Sequence, residues 1–126
     1  MARRQHRLRL ASAGHAPPLL RDPAATPQTI ALEVEPGPLL GVSLCTEAEY
    51  PLTTVALPEG PLLALYTDGL VETPDIDLTD SIAALAHVLT RYGDRPLDDL
   101  CDSLLRHAGL QHARTDGIAL VLLRSR

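Results

Sequence analysis

The sequence predicts an α+β fold with mainly antiparallel strands, and three observations carry that prediction. Short apolar segments separated by Pro- and Gly-rich turns fill residues 7–67. From Ile82 the apolar spacing changes to a helical one. From Ile118 it becomes an almost unbroken apolar run, Ile118-Ala119-Leu120-Val121-Leu122-Leu123. Strands joined by tight turns pair antiparallel, because parallel pairing needs a long crossover.

Leu8 and Leu10 alternate with Arg7 and Arg9, which predicts a strand ending in the small-residue turn Ala11-Ser12-Ala13-Gly14-His15 before Pro17-Pro18. Asp22 to Pro27 is turn-rich, and Thr29 to Val34 reads as a short edge strand closed by Pro36-Gly37-Pro38. Tyr50 to Leu57, the turn Pro58-Glu59-Gly60-Pro61 and Leu62 to Thr67 form a hairpin-like unit. Ile82, Leu85, Ala86, Leu89 and Tyr92 then fall at helical spacing, after Thr79 or Asp80 as N-cap and with Gly93 as the stop. Leu97, Leu100, Cys101, Leu104 and Ala108 repeat the pattern. Pro96 suits the first turn of that second helix, Asp98 and Asp99 complement its dipole, and Gly109 is its expected end. The terminal apolar run reads as a buried strand.

At 126 residues the chain fits one domain. Its 45% hydrophobic and 21% charged residues are ordinary for a soluble globular protein. No apolar stretch approaches the roughly 18 residues that span a bilayer. Phe and Trp are absent, so the core is built from Leu, Val, Ile and Ala. A net charge of -5 argues against nucleic acid as the main partner, since duplex binding draws on clustered cations. Arg3, Arg4, Arg7 and Arg9 make a local basic run with no apolar region after it. They read as a solvated strand edge and not as a secretory signal. Cys45 and Cys101 lack CxxC spacing and read as reduced, buried thiols of a cytoplasmic protein.

The chemistry concentrates in two places. Thr67-Asp68-Gly69 ends one apolar strand, and Thr115-Asp116-Gly117 leads into another. If those strands lie antiparallel in one sheet, the end of the first and the beginning of the second share a rim, and the carboxylates of Asp68 and Asp116 converge. Two like charges a few ångströms apart require either a shared proton or a cation between them. Carboxylate oxygens favour Mg²⁺ or Mn²⁺ over zinc. Taken singly, each Asp-Gly is ordinary turn chemistry. His15, after Ala-Gly at a turn, reads as fixing local structure. His87, His107 and His112 read as solvent-facing, without zinc-binding spacing. Asp75, Asp77 and Asp80 lack the Gly and distal Glu of a calcium loop, so a solvated loop and helix N-terminus explain them. Ser12, Ser43, Ser81 and Ser103 sit in no G-x-S-x-G elbow, which argues against a serine hydrolase.

In order and wording these segments resemble the C-terminal part of the PPM-type (PP2C-like) metal-dependent serine/threonine phosphatases, in their bacterial SpoIIE and RsbU branch. Residues 11–20, Ala-Ser-Ala-Gly-His-Ala-Pro-Pro-Leu-Leu, look like the branch's "NAGHPP" segment with Ser12 where Asn is usual. Residues 58–72 resemble its "LppGDlLllYTDGlvE" segment, with Pro61 in place of Asp. Residues 116–121 resemble its terminal "DDiaLv", with Gly117 replacing the second Asp.

The resemblance implies a PPM-type β-sandwich flanked by helices, with residues 1–126 forming a partial domain. It also implies that Asp68 and Asp116 are metal ligands for Mg²⁺ or Mn²⁺. In the family, paired ions activate water and clamp the phosphate, so no protein nucleophile is needed. The sequence has no early "D-x-x-GHG"-type motif, whose Asp bridges the two ions in relatives. Weak metal binding, slow phosphoester hydrolysis and self-association through exposed apolar surface are therefore expected of this chain. The substrate that the resemblance implies is a phosphorylated protein such as a STAS-type anti-sigma-factor antagonist. The rival expectation is a non-catalytic remnant that binds a partner through the helices at 79–92 and 96–108.

Overall fold

The computed structural model describes residues 6–12, 16–34, 52–71, 75–111 and 119–124. Along the chain these form β1 (His6–Leu10), β2 (Leu19–Asp22), β3 (Gln28–Ala31), β4 (Thr53–Leu57) and β5 (Leu62–Tyr66). There follow α1 (Asp68–Val71), α2 (Leu78–Tyr92), α3 (Leu97–Gln111) and β6 (Leu120–Arg124). β1 and β4 pair as a two-stranded sheet, and the other strands form a four-stranded sheet in the order β3-β2-β5-β6. Every pairing is antiparallel.

The elements stack in three layers, and side-chain alternation along the strands dictates which layer each residue serves. On β1 and β4, Leu8, Leu10, Val55 and Leu57 turn inward onto Leu20, Leu32 and Leu63, while Arg7 and Arg9 face solvent. On the opposite face of the larger sheet, Leu19, Leu62, Ala64 and Tyr66 pack against Leu85, Leu89, Leu100 and Leu104 of the two long helices. Leu19, Leu62, Leu89 and Leu100 are almost wholly removed from water. Each such leucine contributes about 1.5–3 kcal/mol of transfer free energy.

The helices follow the predicted apolar stripes, with different ends. α2 begins after Asp77, whose extended backbone and carbonyl bond to the Ser81 amide (3.0 Å) make it the cap in place of Thr79 or Asp80. Gly93 does end α2, but in right-handed geometry (φ -69°), so it is not a left-handed stop. Glycine is needed there for space: a Cβ would overlap Arg21 Cδ and the Leu89 carbonyl. α3 runs past Gly109 to Gln111.

Arg21, only 5% exposed, donates from Nε and Nη2 to the Thr90 carbonyl at 3.3 and 3.2 Å. Arg124 of β6 donates to the carbonyls of Gly93 and Arg95. Two guanidinium groups from the sheet thus meet the carbonyl-rich, electronegative end of α2.

Three strand expectations are corrected. β2 occupies a stretch with no predicted strand. β4 and β5 do not pair with each other: the turn at Gly60 (φ 64°) carries the chain from one sheet to the other. β6 is an edge strand and not a buried one, with Val121 and Leu123 each about half exposed. They lie on the face beside Leu65 and Leu63, where the β1–β4 layer leaves them uncovered.

Candidate metal-binding rim

β5 is the inner strand that positions the predicted site. β2 and β6 flank it, and its apolar residues are covered on both faces, so its end is fixed by the sheet. Tyr66 closes the strand with 2% of its surface exposed, and its hydroxyl donates to the Pro17 carbonyl at 2.8 Å. That bond draws the Pro17 segment, part of the first family-like motif, against the end of β5. Burial, with a smaller contribution from the charge of Asp68, pushes the Tyr66 phenol up to about 12. The group is therefore a protonated donor throughout the neutral range.

Beyond Tyr66 the chain turns out of the sheet. The Thr67 carbonyl accepts the Leu70 amide at 3.0 Å and starts α1. Asp68 is the first residue of that turn and is exposed, while Gly69, Leu70 and Val71 are buried. The three buried residues anchor the turn and leave the carboxylate at the surface rim. Asp68 therefore stands at the start of a short helix just past the strand, one step further on than the sequence suggested.

β6 arrives at the same rim from the opposite direction. Tyr66 is registered with Leu120, and the Thr67 amide donates to the Ala119 carbonyl at 3.0 Å. The Ala119 amide in turn donates to Thr67 Oγ1 at 2.9 Å. The antiparallel relation assumed in the sequence argument is thus present between the strand that ends before Asp68 and the strand that follows Asp116. Asp116, Gly117, Glu72, His15, Cys45, Arg3 and Arg4 lie outside the described residues.

Among the described residues no three His, Cys, Asp or Glu side chains gather as a metal cluster. The donor that this rim supplies among them is the Asp68 carboxylate, a hard oxygen ligand whose chemistry fits Mg²⁺ or Mn²⁺. His87 is exposed, as expected, and so are Asp75, Asp77 and Asp80, with Asp75 in a positive-φ turn (70°). Cys101 is a half-buried free thiol. No described helix is long and apolar enough to cross a membrane. Tyr66 and Thr67, which organise the rim, were not singled out by the sequence argument. Their signal was a hydrogen-bonding residue at each of the last two positions before the acidic one.

The family model for stage II sporulation protein E (SpoIIE) matches residues 1–126. The structure resembles the RsbU and RsbW domains of a Mycobacterium tuberculosis protein, at 28% identity and a TM-score of 0.75, over 95% of this chain and 33% of that one. It also resembles the phosphatase domain of SpoIIE from Bacillus subtilis, presoaked with Mn, at 14% identity and a TM-score of 0.66. That match takes in 95% of this chain and 56% of the other. A further structure, the PP2C phosphatase domain of Bacillus subtilis SpoIIE with a fragment of its regulatory domain, matches at 14% identity and a TM-score of 0.64, over 94% of this chain and 34% of that one. The chain thus spans about a third to just over half of the structures it matches. No curated protein matches it significantly. With its full length matched by the family model and its antiparallel sheets and helices superposing on these folds, the chain belongs to the SpoIIE family, in the SpoIIE/RsbU branch of PPM-type (PP2C-like) phosphatase domains.

Proposed function

We propose that this chain is part of a metal-dependent protein serine/threonine phosphatase domain, acting in the cytoplasm, with Asp68 and Asp116 as ligands to Mg²⁺ or Mn²⁺. The observation that carries this reading is the Thr67–Ala119 pairing at the end of β5. Asp68 follows one partner directly, and Asp116 precedes the other by three residues. Three residues of chain reach at most about 11 Å, a span that supports assigning both carboxylates to one rim. Family membership supports the same assignment, as does the Mn presoak of the SpoIIE phosphatase domain that the chain resembles.

When bound, the cation lowers the pKa of water and offsets charge on the phosphoryl group. The chain's own contribution is to hold and orient. The two aspartates supply oxygen ligands, and Tyr66 keeps the Pro17 segment against β5 through its hydroxyl. In the net reaction the oxygen of water joins phosphorus while the ester bond to the serine or threonine oxygen breaks, and that oxygen takes a proton. The substrate class is a phosphorylated protein, with a STAS-type anti-sigma-factor antagonist as the first candidate.

The test is manganese-dependent release of phosphate from a phosphoserine peptide, together with Mn²⁺ titration. Slow turnover and weak binding that Asp68→Asn abolishes, with the fold intact by circular dichroism, support the proposal. A folded wild-type chain that releases no phosphate at saturating Mn²⁺ leaves the rival role, partner binding through α2 and α3.

A further inference from the structure

The side chain of Thr67 has a task that the backbone cannot perform. Tyr66 and Leu120 are the last registered pair of β5 and β6, so Thr67 and Ala119 are the next opposing residues. In a regular antiparallel ladder alternate opposing pairs exchange both N–H···O=C bonds, and the Thr67 amide bond marks this pair as one of them. Here one is made, from the Thr67 amide to the Ala119 carbonyl. The other is lost to the backbone, because the Thr67 carbonyl has turned away to accept the Leu70 amide and begin α1. Thr67 Oγ1 replaces it and accepts the Ala119 amide at 2.9 Å.

We infer that Thr67 is a positioning residue for the metal-binding rim: its hydroxyl keeps the chain arriving at Ala119 fastened to β5 at the very residue where β5 bends to present Asp68. The inference rests on the reading of Asp68 and Asp116 as ligands. A ladder residue without a side-chain acceptor would have to choose. Either its carbonyl stays with β6 and α1 does not start at Asp68, or α1 starts and the Ala119 amide is left without its strand partner. Threonine permits both at once, and its β-branching suits the extended backbone of a strand end.

The experiment compares wild type, Thr67→Val, Thr67→Ser and Asp68→Asn. Three quantities are measured: Mn²⁺ affinity by paramagnetic titration of the free ion, hydrogen exchange at the Ala119 amide, and thermal midpoint. Valine preserves shape and branching but removes the acceptor, while serine retains it. Thr67→Val is expected to speed exchange at Ala119 and to raise the Mn²⁺ Kd about fivefold, the equivalent of one ordinary hydrogen bond. Thr67→Ser is expected to stay within about twofold of wild type by the same reckoning.

Wild-type Mn²⁺ affinity in Thr67→Val, with Asp68→Asn still defective, overturns the positioning role alone. Unchanged affinity in Asp68→Asn overturns the underlying metal-site reading, and this inference with it. Should Thr67→Val fail to fold, Thr67→Cys, close in shape to Ser but a poor acceptor, takes its place with the same two outcomes.

Discussion

Gly93→Ala separates two physical effects of opposite sign. At φ -69° and ψ -6° the backbone of Gly93 is one that alanine adopts freely. On local grounds the substitution should therefore stabilise the protein by about 0.4–1 kcal/mol, through lower entropy of the unfolded chain. The surroundings oppose this. The added Cβ overlaps the Leu89 carbonyl, which belongs to the helix and cannot step aside, and also Arg21 Cδ and Nε. Arg21 can yield only by giving up its bonds to the Thr90 carbonyl in a place where 5% of its surface reaches water. Losing a hydrogen bond made by a charged group costs about 1.5–3 kcal/mol, and overpacking adds about 1–3 kcal/mol. The expected net loss is about 1.5–5.5 kcal/mol once the local gain is subtracted. Urea unfolding followed by circular dichroism reads this as a lower midpoint at unchanged slope. In an Arg21→Ala background the same substitution should cost at least about 1 kcal/mol less, since the two positions are in contact. A Gly93→Ala protein as stable as wild type, or more so, would refute the close-approach argument and restore the ordinary view of Gly93 as a helix stop.

Tyr66→Phe removes the donor to the Pro17 carbonyl and should cost about 1–2 kcal/mol by leaving that carbonyl unsatisfied, measured by urea unfolding. Because folding raises the Tyr66 phenol from its ordinary value of 10.0 to about 12, its contribution is complete below pH 10 and is lost as pH rises from 10 toward 12. Wild type should therefore lose stability over that interval more steeply than Tyr66→Phe, and parallel alkaline profiles would contradict the assignment. Leu89→Ala, at a residue 1% exposed between helix and sheet, should cost about 2–5 kcal/mol in the same assay. Val121 and Leu123 expose apolar surface on an edge strand, so replacing both with Lys should reduce self-association in sedimentation while changing stability by less than about 1 kcal/mol. Equal association of variant and wild type would show that this stripe is not adhesive.

Periodicity made α2 and α3 legible, because their cores repeat over four turns and a packed stripe leaves a regular trace in the sequence. β2 left none. Its four residues are hemmed in by Pro18 and Pro23, and both its faces are covered, Leu19 by helices and Leu20 by the smaller sheet, so no polar alternation marks it. Arg21 completes the disguise, since a buried arginine bonded to a distant helix end reads locally as a turn residue. The turn at residues 58–61 was legible as a reversal, but a reversal does not say whether the flanking strands bond to each other. That choice was made by β1 and β2, far away in sequence. The rim itself was half legible. A Thr-Asp-Gly at a strand end announces an acidic residue at an edge, whereas the exchange of a carbonyl for a hydroxyl at Thr67 depends on Ala119, whose position only the fold supplies.

The pairing of β5 with β6 also constrains the order of assembly. β5 and β2 are brought together early in the chain, but the strand that borders β5 on its other side follows two intervening long helices, with the Ala119 amide 52 positions beyond the Thr67 hydroxyl it binds. Closing so long a loop is slow compared with forming a helix. The edge of β5 beside Asp68 is therefore completed only after both long helices and β6 have been synthesised, and until β6 docks a nascent chain lacks the Thr67–Ala119 bonds at that edge.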